Sequence, residues 1–437
     1  MRKYILVLLC LLPVVQNAQV MLDLKSCLNI GLERNYDIRI ARNDQQITDN
    51  NATIGNAGYL PTIDLGSGYS GALNNTKQNL RDGTSTSSND IHNQTLNAGV
   101  NLNWMIFDGF NIQTNYKKLK ELQSTGELRT RLSIENFVAD LTSEYYNYIQ
   151  QTIHLKNLRS AVKLSKERLR IAQVRYEIGE TSRLDMQQAK VDFNSDSSKY
   201  VIQQEVLYAS RIRLNKMMAT EDIDQPIQTA DTIIAFDDFL DKETIWQKTL
   251  SSNTILLLSG KEKNIGLLDL KSAQSENYPY LRLNTGYGIT KNIYNTGTID
   301  NQRNLGLTYG LTLGFNLFDG SNRKRKQNNA KAIVRNRELE YEQTVLSLKA
   351  DLSNIWMAYR NNLELYSLER ENVETARDNY EIAIYRYKLQ DLAGIELREA
   401  QNSLLEAEER LVRAEYNTKL CEISLMQISG QVALYIE

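Results

Sequence analysis

The chain has 437 residues, 24% of them charged, and a formal net charge of −2. This length allows two or three domains, and the presence of only four prolines favours long helices over a loop-rich fold. A nearly neutral charge gives no reason to expect a nucleic-acid partner, so none is predicted.

Residues 1–18 have the features of a secretory signal peptide. Arg2 and Lys3 precede an apolar stretch that runs from 5 to 15, and Ala18 provides the small residue expected at a cleavage site. Cys10 lies inside the apolar stretch rather than after a small residue at its end, so we expect no lipid anchor. No later stretch reaches about 18 consecutive apolar residues, the length that would predict a transmembrane helix.

The remaining cysteines and the two histidines do not form a recognisable chemical site. Cys27 and Cys421 have no CxxC spacing and no neighbouring His, so we expect ordinary packing roles, and a disulfide between them remains open. His92 and His154 have no Cys, Ser or Asp partner at a catalytic spacing, and we expect both on the surface. The sequence therefore predicts a protein that is not an enzyme, with no cofactor, metal or catalytic site.

A strand-to-helix segment occurs twice in the chain. The Phe-Asp-Gly sequence at 107–109 recurs at 318–320, which is a shift of 211 positions. The same shift relates the Arg-Tyr pair at 175–176 to the pair at 386–387. A constant offset over such a distance predicts two copies of one structural unit.

Each copy contains two stretches in which apolar and polar residues alternate. The first copy has them at 63–73 and 96–106, separated by a segment of loop composition at 74–93. The second copy has them at 281–289 and 305–317. Period-two alternation predicts strands, here of roughly 10 to 13 residues, which is enough to cross a bilayer when tilted. Ordinary half-buried strands are the alternative, but the polar face is rich in Asn, Thr and Gly, which suits a wet lumen.

Aromatic residues cluster at the strand ends next to the helices. Such girdles mark the membrane interfaces of outer-membrane barrels, so we predict that Trp104, Phe107, Phe315 and Phe318 lie at an interface. Four strands cannot close a barrel, and open sheet edges cannot face lipid. The strands must therefore be shared among several protomers.

Long helices are predicted after each strand pair. Asp108 is a good N-cap for a helix at 111–176, and the shift of 211 predicts its counterpart at 322–387. Each has 66 residues and a length of about 100 Å at 1.5 Å per residue. Return helices follow at 183–218 and 394–428. A long cytoskeletal-type coiled coil would explain these helices but would leave the strands without a role.

In this order, the elements resemble the TolC-like outer membrane efflux proteins. The resemblance rests on the signal peptide, the duplicated unit, the Tyr-Leu-Pro and Phe-Asp-Gly sequences at the strand borders, and Arg-Tyr-x-x-Gly before Leu-Asp at the helical turn, at 175–185. It covers essentially the whole mature chain. It implies a mixed fold with a membrane β-barrel and a long α-helical barrel, built from two tandem structural repeats. Four strands per protomer would complete a twelve-stranded barrel in a homotrimer.

The resemblance also implies a function, partners and a location. It implies a passive outer membrane channel, gated at its periplasmic end, that is the exit duct of a tripartite efflux system for drugs or other small molecules. The partners would be a periplasmic membrane-fusion adaptor, an inner-membrane pump and outer membrane lipid. The location would be the outer membrane of a Gram-negative bacterium, with a long periplasmic portion. Type I protein secretion, metal efflux, and a periplasmic or surface coiled-coil scaffold or adhesin remain alternatives.

The resemblance divides the chain into eight segments. They are 1–18 (signal peptide), 19–58 (first periplasmic helix), 59–107 (first β-hairpin), 108–218 (first long helix and return helix), 219–245 (inter-repeat connector, the equatorial region), 246–277 (second periplasmic helix), 278–318 (second β-hairpin) and 319–437 (second long helix and return helix).

Two acidic residues are implied to line the periplasmic constriction. Glu396 and Glu399 lie three apart, on one face of a helix. In a trimer they would give six carboxylates, which favour cations and repel anions. The alternative is a solvated helix face, on which Glu is common.

The resemblance also points to gate contacts near the second turn. Tyr387 matches a residue that helps to hold the closed state, and Asp185 matches its acidic partner. Leu392 stands where a basic latch residue is expected, and Gln390 stands where Gly is expected. The salt-bridge part of the latch is therefore missing from this sequence.

Overall fold

The computed structural model describes residues 21–436, so the predicted signal peptide at 1–18 lies outside the described residues. The helices in the described part are α1 (Leu24–Arg34), α2 (Tyr36–Asn51), α3 (Ile54–Ala57), α4 (Asn111–Glu177), α5 (Arg183–Met217), α6 (Lys242–Ser252), α7 (Thr254–Ser275), α8 (Asn322–Lys388) and α9 (Gly394–Ile428). The strands are β1 (Met21–Leu22), β2 (Thr62–Asn79), β3 (Ser85–Asp108), β4 (Gln228–Thr229), β5 (Tyr280–Tyr294) and β6 (Asn301–Gly314). A short 3-10 helix follows at Val432–Tyr435.

The chain folds into two compact units. The helical unit contains Arg129–Leu257, Thr344–Glu437 and the N-terminal residues up to Asn43. The sheet unit contains Asp44–Leu128 and Leu258–Gln343. Within residues 21–436, none of the helices combines the length and the apolar character needed to cross a membrane.

The sheet unit contains four antiparallel strands in the order β2-β3-β5-β6. One row of the register consists entirely of glycine, because Gly66 pairs with Gly99, Gly99 with Gly288, and Gly288 with Gly306. A Cβ on Gly99 would lie 3.0 Å from the Cα of Gly288. The row therefore lets the two central strands approach closely.

The strands are longer than predicted. The prediction of a loop at 74–93 is wrong over most of that segment, which is paired as strand. β2 continues to Asn79 and β3 begins at Ser85, so that only 80–84 connects them, with a bulge near Asn74. The reason is that antiparallel backbone hydrogen bonds do not require apolar side chains. The Ser, Thr and Asn side chains of this extension are mostly exposed, so their polarity does not oppose strand pairing. β6, in contrast, ends at Gly314 and does not continue to 317 as predicted.

Both long helices begin with the same capping contact. The Asp108 carboxylate accepts a hydrogen bond from the backbone N–H of Ile112 at 3.0 Å, and Asp319 accepts one from Arg323 at 2.8 Å. Each contact satisfies one of the free N–H groups of a helix N-terminus. α4 and α8 both have 67 residues, one more than predicted, and α5 and α9 both have 35.

The turns before the long helices use left-handed backbone conformations. Gly109 has φ +72° and Phe110 has φ +70°, while Gly320 and Ser321 have φ +69° and +66°. A Cβ on Gly109 would also lie 2.3 Å from the carbonyl oxygen of Ser275. Glycine is required at 109 both for its conformation and for this close backbone contact.

The main core of the helical unit contains a buried cation. The Lys419 Nζ lies 2.8 Å from the Glu422 carboxylate and 5.0 Å from the ring centroids of both Tyr146 and Tyr435. Tyr435 also donates its hydroxyl proton to Glu422 at 2.7 Å. This network ties the C-terminal 3-10 helix to the helical core.

The cysteines do not pair. Cys27 is a fully buried free thiol in the main core, and Cys421 is a half-buried free thiol in a second cluster. Burial raises the pKa of Cys27 to about 12, so the thiol stays protonated. The structure thus favours the predicted packing roles over the disulfide that the sequence left open.

Candidate functional site

The first helical turn is closed by its own side chains. α4 ends at Glu177, Gly179 has φ +80°, and Ser182 caps α5 by accepting the backbone N–H of Asp185 at 3.1 Å. The Asp185 carboxylate in return accepts hydrogen bonds from the Ser182 hydroxyl at 2.8 Å and from the Thr181 hydroxyl at 2.9 Å. These hydrogen bonds lower the pKa of Asp185, so the carboxylate remains charged at neutral pH.

The second turn has the same outline but a different chemistry. Gln390 has φ +66°, which explains why a Gly is expected at this position. Arg386 pairs with Asp391 at 3.0 Å across the turn, and the Gln390 side chain donates to Glu180 of the first turn at 3.0 Å. The two turns are thus linked directly by a neutral donor and a carboxylate.

Tyr387 is buried among side chains from both turn regions. Its ring packs with Ala383, Leu397 and Ala400 in a small hydrophobic cluster. The Arg175 guanidinium lies 4.8 Å from the centroid of this ring and donates to the backbone carbonyl of Tyr387 at 3.0 Å. The ring of Tyr387 therefore makes a cation–π contact and apolar contacts, whereas its hydroxyl makes no hydrogen bond within residues 21–436.

Tyr387 and Asp185 line one cavity of about 480 Å³ but do not form a hydrogen bond with each other within residues 21–436. Asp185 is occupied by the helix cap, and Tyr387 is occupied by Arg175 and the apolar cluster. The structure therefore places the two predicted gate residues near each other without the predicted direct contact.

Glu396 and Glu399 are exposed on the first two turns of α9. The Glu396 carboxylate accepts a hydrogen bond from the backbone N–H of Ala393 at 3.4 Å, which is one of the two hydrogen bonds of a capping box. The second hydrogen bond is missing because the alanine side chain has no acceptor atom. The Glu399 side chain makes no hydrogen bond or ion pair in the described part of the chain. Both side chains are exposed, so both carboxylates can face solvent or a neighbouring copy.

Two ion pairs next to these glutamates were missed by sequence reasoning. Arg398 in α9 makes a bidentate pair with Asp196 in α5, and Arg168 in α4 pairs with Asp192 in α5 at 2.5 Å. Asp196 is 1% exposed and Arg168 is 5% exposed. The spacing of Asp192 and Asp196 by four places both carboxylates on one face of α5, which is the only signal the sequence offers.

The electrostatics of these pairs depend on burial. Burial lowers the pKa of Arg168, and the nearby Asp192 only partly offsets this effect. Burial also opposes the charge of Arg398, but the hydrogen bonds and charge of Asp196 outweigh it and raise the pKa of Arg398. Arginine stays protonated in either case, so both pairs are ionic.

The predicted interface aromatics occupy the ends of the strands and the turns after them. The Trp104 indole donates to the carbonyl of Tyr59 at 2.9 Å, and the Phe107 ring packs edge-on against Phe110 at 5.1 Å. Phe315 and Phe318 lie beyond the end of β6 and are exposed. These contacts hold apolar rings at the junction between sheet and helices.

The histidines differ in their environments. His92 is exposed, as predicted, whereas His154 is half-buried in α4. Burial lowers the pKa of His154. No cluster of three or more His, Cys, Asp or Glu residues within 21–436 is arranged to hold a metal ion.

Solved structures define the class of protein to which this fold belongs. The chain aligns with the Campylobacter jejuni CmeC outer membrane channel with a TM-score of 0.77 and 16% identity, over 93% of this chain and 85% of that chain. It aligns with a membrane protein from Pseudomonas aeruginosa with a TM-score of 0.78 and 14% identity, over 94% and 91% of the two chains. The fold is therefore that of the TolC-like outer membrane channels.

The family follows from the sequence. The profile of the outer membrane efflux protein family matches residues 28–220 and 267–431, and the chain belongs to this family. The chain is also 20% identical over 410 residues to the outer membrane efflux protein BepC of Brucella suis biovar 1 (strain 1330), which is 92% of this chain and 83% of that protein.

Membership of this family confirms the predicted resemblance, location and function. The protein is an outer membrane efflux channel with a periplasmic tunnel, and it serves as the exit duct of a tripartite efflux system. Its relatives are channel proteins rather than enzymes. The scaffold and adhesin alternatives are set aside by this assignment.

Proposed function

We propose that three copies of this chain form the duct and that their twelve strands close one barrel. The observation that carries this proposal is the open sheet: β2 and β6 each have one unpaired edge in the order β2-β3-β5-β6. An open edge leaves backbone N–H and C=O groups without partners, which a bilayer does not tolerate. Pairing β6 of one copy with β2 of the next satisfies both edges.

The side chains of the two edge strands support a membrane location. Large apolar residues alternate along both strands and are exposed in the single chain. They are Ile63, Leu65, Tyr69, Leu73, Leu305, Leu307, Tyr309, Leu311 and Leu313. This is the pattern of an outward apolar band in a membrane barrel. The intervening Gly, Ser, Thr and Asn side chains would face the lumen.

The helical unit offers a matching surface for a second copy. Leu346, Met357, Leu368 and Ile382 of α8 are exposed. Their spacings of 11, 11 and 14 residues place them on one face of the helix. Such a face buries apolar area only when another helix covers it, and we infer that the neighbouring copy provides that helix.

The duplicated unit fits the same assembly. α4 has the same length as α8, and α5 has the same length as α9. The antiparallel strands β2 and β3 precede α4, and β5 and β6 precede α8. We infer that each copy of the unit contributes one hairpin to the barrel and one helical pair to the tunnel. Three chains would then give six similar units around the channel axis.

We further propose that the acidic residues Glu396 and Glu399 line the periplasmic constriction and that the Tyr387 region controls its width. Support comes from the exposure of both carboxylates and from the ion pair of Arg398, which lies between them in the sequence. Six carboxylates around a narrow opening would attract cations and repel anions. A periplasmic adaptor and an inner-membrane pump are inferred from the family, whose members work with both.

Single-channel recording in a planar bilayer tests this proposal. Wild-type protein is expected to give small, cation-selective steps under a salt gradient. The double variant Glu396→Gln/Glu399→Gln should conduct more and lose most of its selectivity, because the ring of charge is gone. The matched control is Glu371→Gln/Glu374→Gln, in which two exposed carboxylates three residues apart are removed from α8.

The control separates the position of the charges from their number. If it changes selectivity as much as the Glu396 and Glu399 variant does, the constriction assignment is wrong. A protein that fails to insert would contradict the barrel itself. Cargo is tested separately by the drug sensitivity of a cell that lacks the protein, since small-molecule efflux predicts increased sensitivity and protein secretion does not.

A further inference from the structure

A cluster of four consecutive cations begins α8. This basic cluster consists of Arg323, Lys324, Arg325 and Lys326, immediately after the strand-to-helix turn. The equivalent positions at the start of α4 are 112–115, with the sequence Ile-Gln-Thr-Asn and no charge. The cluster therefore does not belong to the shared architecture of the two halves and needs its own explanation.

Helix stability does not provide that explanation. The N-terminus of a helix carries a partial positive charge, so cations in the first turn are unfavourable by up to about 1 kcal/mol each. Four of them in succession oppose the helix that they begin. A favourable interaction outside the helix must outweigh this effect.

Protein carboxylates compensate only half of the cluster. Arg323 pairs with Asp319 at 3.5 Å, and Lys326 pairs with Glu276 at 2.7 Å. The Lys324 side chain makes no hydrogen bond or ion pair in the described part of the chain. The Arg325 side chain has only a weak contact, which is made to a neutral side-chain amide.

That contact joins the Arg325 Nε to the Asn322 side-chain oxygen at 3.4 Å. Because the amide is neutral, the charge of Arg325 remains unbalanced. Both Lys324 and Arg325 are exposed. Two formal positive charges therefore remain available at the surface.

The cluster lies beside exposed apolar residues. The Arg323 guanidinium is 6.0 Å from the Phe315 ring and donates to the carbonyl of Leu317 at 3.3 Å. The side chains of Leu317 and Phe318 are 84% and 79% exposed. Phe315 continues the odd-numbered apolar series of β6, so Arg323 lies on the side of the proposed lipid-facing band.

We propose that the basic cluster binds the headgroups of anionic phospholipids in the periplasmic leaflet of the outer membrane. Exposed apolar side chains next to unbalanced cations match the acyl boundary and the phosphate layer of such lipids. Lys324 lies two residues into α8, which corresponds to about 3 Å along the helix. One headgroup layer is about 5 to 8 Å thick, so Lys324 would lie within it. The inference rests on the proposed membrane placement of the strands.

The test measures the affinity of the full-length channel for phosphatidylglycerol in mixed micelles, with phosphatidylcholine as the neutral comparison. Each basic residue near an anionic surface changes affinity by about fivefold. We therefore expect Lys324→Gln/Arg325→Gln to bind phosphatidylglycerol about 25-fold more weakly than wild type, with phosphatidylcholine binding unchanged. The charge-preserving variant Lys324→Arg/Arg325→Lys should bind like wild type.

A matched control removes the same charge from the opposite end of the same strands. Lys291 and Arg303 are exposed and face each other in the register of β5 and β6. The variant Lys291→Gln/Arg303→Gln should retain phosphatidylglycerol binding. Equal losses in the two double variants, or no loss in Lys324→Gln/Arg325→Gln, would overturn the proposal.

Two further readings complete the test. If millimolar inorganic phosphate displaces phosphatidylglycerol from the channel, the cluster is a site for free anions, and the proposal is also overturned. Bilayer conductance of Lys324→Gln/Arg325→Gln separates this inference from the duct. Normal conductance with lost lipid binding supports both, whereas normal conductance with unchanged lipid binding overturns the lipid site and leaves the duct intact.

Discussion

Arg398 in α9 donates two hydrogen bonds to the carboxylate of Asp196 in α5, at 2.7 and 2.8 Å. Arg168 in α4 donates one hydrogen bond to Asp192 in α5, so that two ion pairs, each with one buried member, join α4, α5 and α9. Arg398 lies between Glu396 and Glu399 in the sequence. The position of the proposed acidic ring therefore depends on an ion pair within a single chain.

Breaking this pair should both destabilise and open the channel. Asp196→Ala leaves the largely buried Arg398 charge without its hydrogen-bonded partner, which typically costs about 3 to 5 kcal/mol. We expect a lower thermal midpoint in detergent and larger conductance steps in a planar bilayer, because α9 is no longer fixed to α5.

A charge exchange provides the control for this prediction. Arg398→Asp/Asp196→Arg should recover part of the loss, since the two residues act as one unit. If the exchanged protein is as unstable and as open as Asp196→Ala, the pair does not hold the helix.

The ring of Tyr387, rather than its hydroxyl, is predicted to hold the closed state. Tyr387→Phe keeps the contact with the Arg175 guanidinium and the apolar cluster, so its conductance should match wild type. Tyr387→Ala should destabilise the helical unit by about 3 to 5 kcal/mol, because a buried aromatic side chain is removed. It should also increase conductance.

The opposite result identifies a different latch. If Tyr387→Phe opens the channel as widely as Tyr387→Ala, a hydroxyl contact to Asp185 forms in the assembled channel. Arg175→Met is the complementary variant, and it should resemble Tyr387→Ala in conductance if the cation is the relevant partner.

Stability should fall below neutral pH because of His154. Burial lowers the pKa of its imidazole, the Glu409 charge partly offsets this effect, and Arg413 adds to it. The folded state thus binds fewer protons than the unfolded state, so stability is highest above the unfolded pKa of about 6.5 and declines as the pH falls through it. A thermal midpoint measured from pH 8 to pH 5 should show this decline.

Two substitutions isolate the histidine that is responsible. His154→Gln should flatten the part of the decline that lies near pH 6.5, and His92→Gln is the matched control at the exposed histidine. Identical profiles for wild type and His154→Gln would show that His154 does not titrate differently on folding.

The two strand-to-helix turns should differ in their tolerance of alanine. At Gly320 the penalty is the left-handed conformation, about 1 to 2 kcal/mol. Among residues 21–436, a Cβ added there would have the Asn322 amide nitrogen as its single neighbour within 4 Å, at 3.8 Å. At Gly109 a Cβ would also meet the Ser275 carbonyl at 2.3 Å, so the backbone must move. We expect Gly109→Ala to lower the thermal midpoint clearly more than Gly320→Ala, and equal effects would contradict the close contact.

Local patterns in the sequence were sufficient to predict the elements of this protein. Periodicity changes from two to 3.6 at Asp108 and Asp319, and each carboxylate caps the helix that follows. These signals act over a few residues and do not depend on the rest of the fold. The predicted starts of α4 and α8 therefore agree with the structure, and the family resemblance follows from their order and duplication.

Only the tertiary structure decided the strand lengths and the contacts of the gate residues. Polar residues at 74–93 look like a loop, but backbone pairing with a neighbouring strand extends the ladder through most of them. Asp196 and Arg398 are 202 positions apart, and nothing in either local sequence marks them as partners. A buried ion pair forms where packing brings two helices together, so its partners are fixed by the fold rather than by the spacing of residues along the chain.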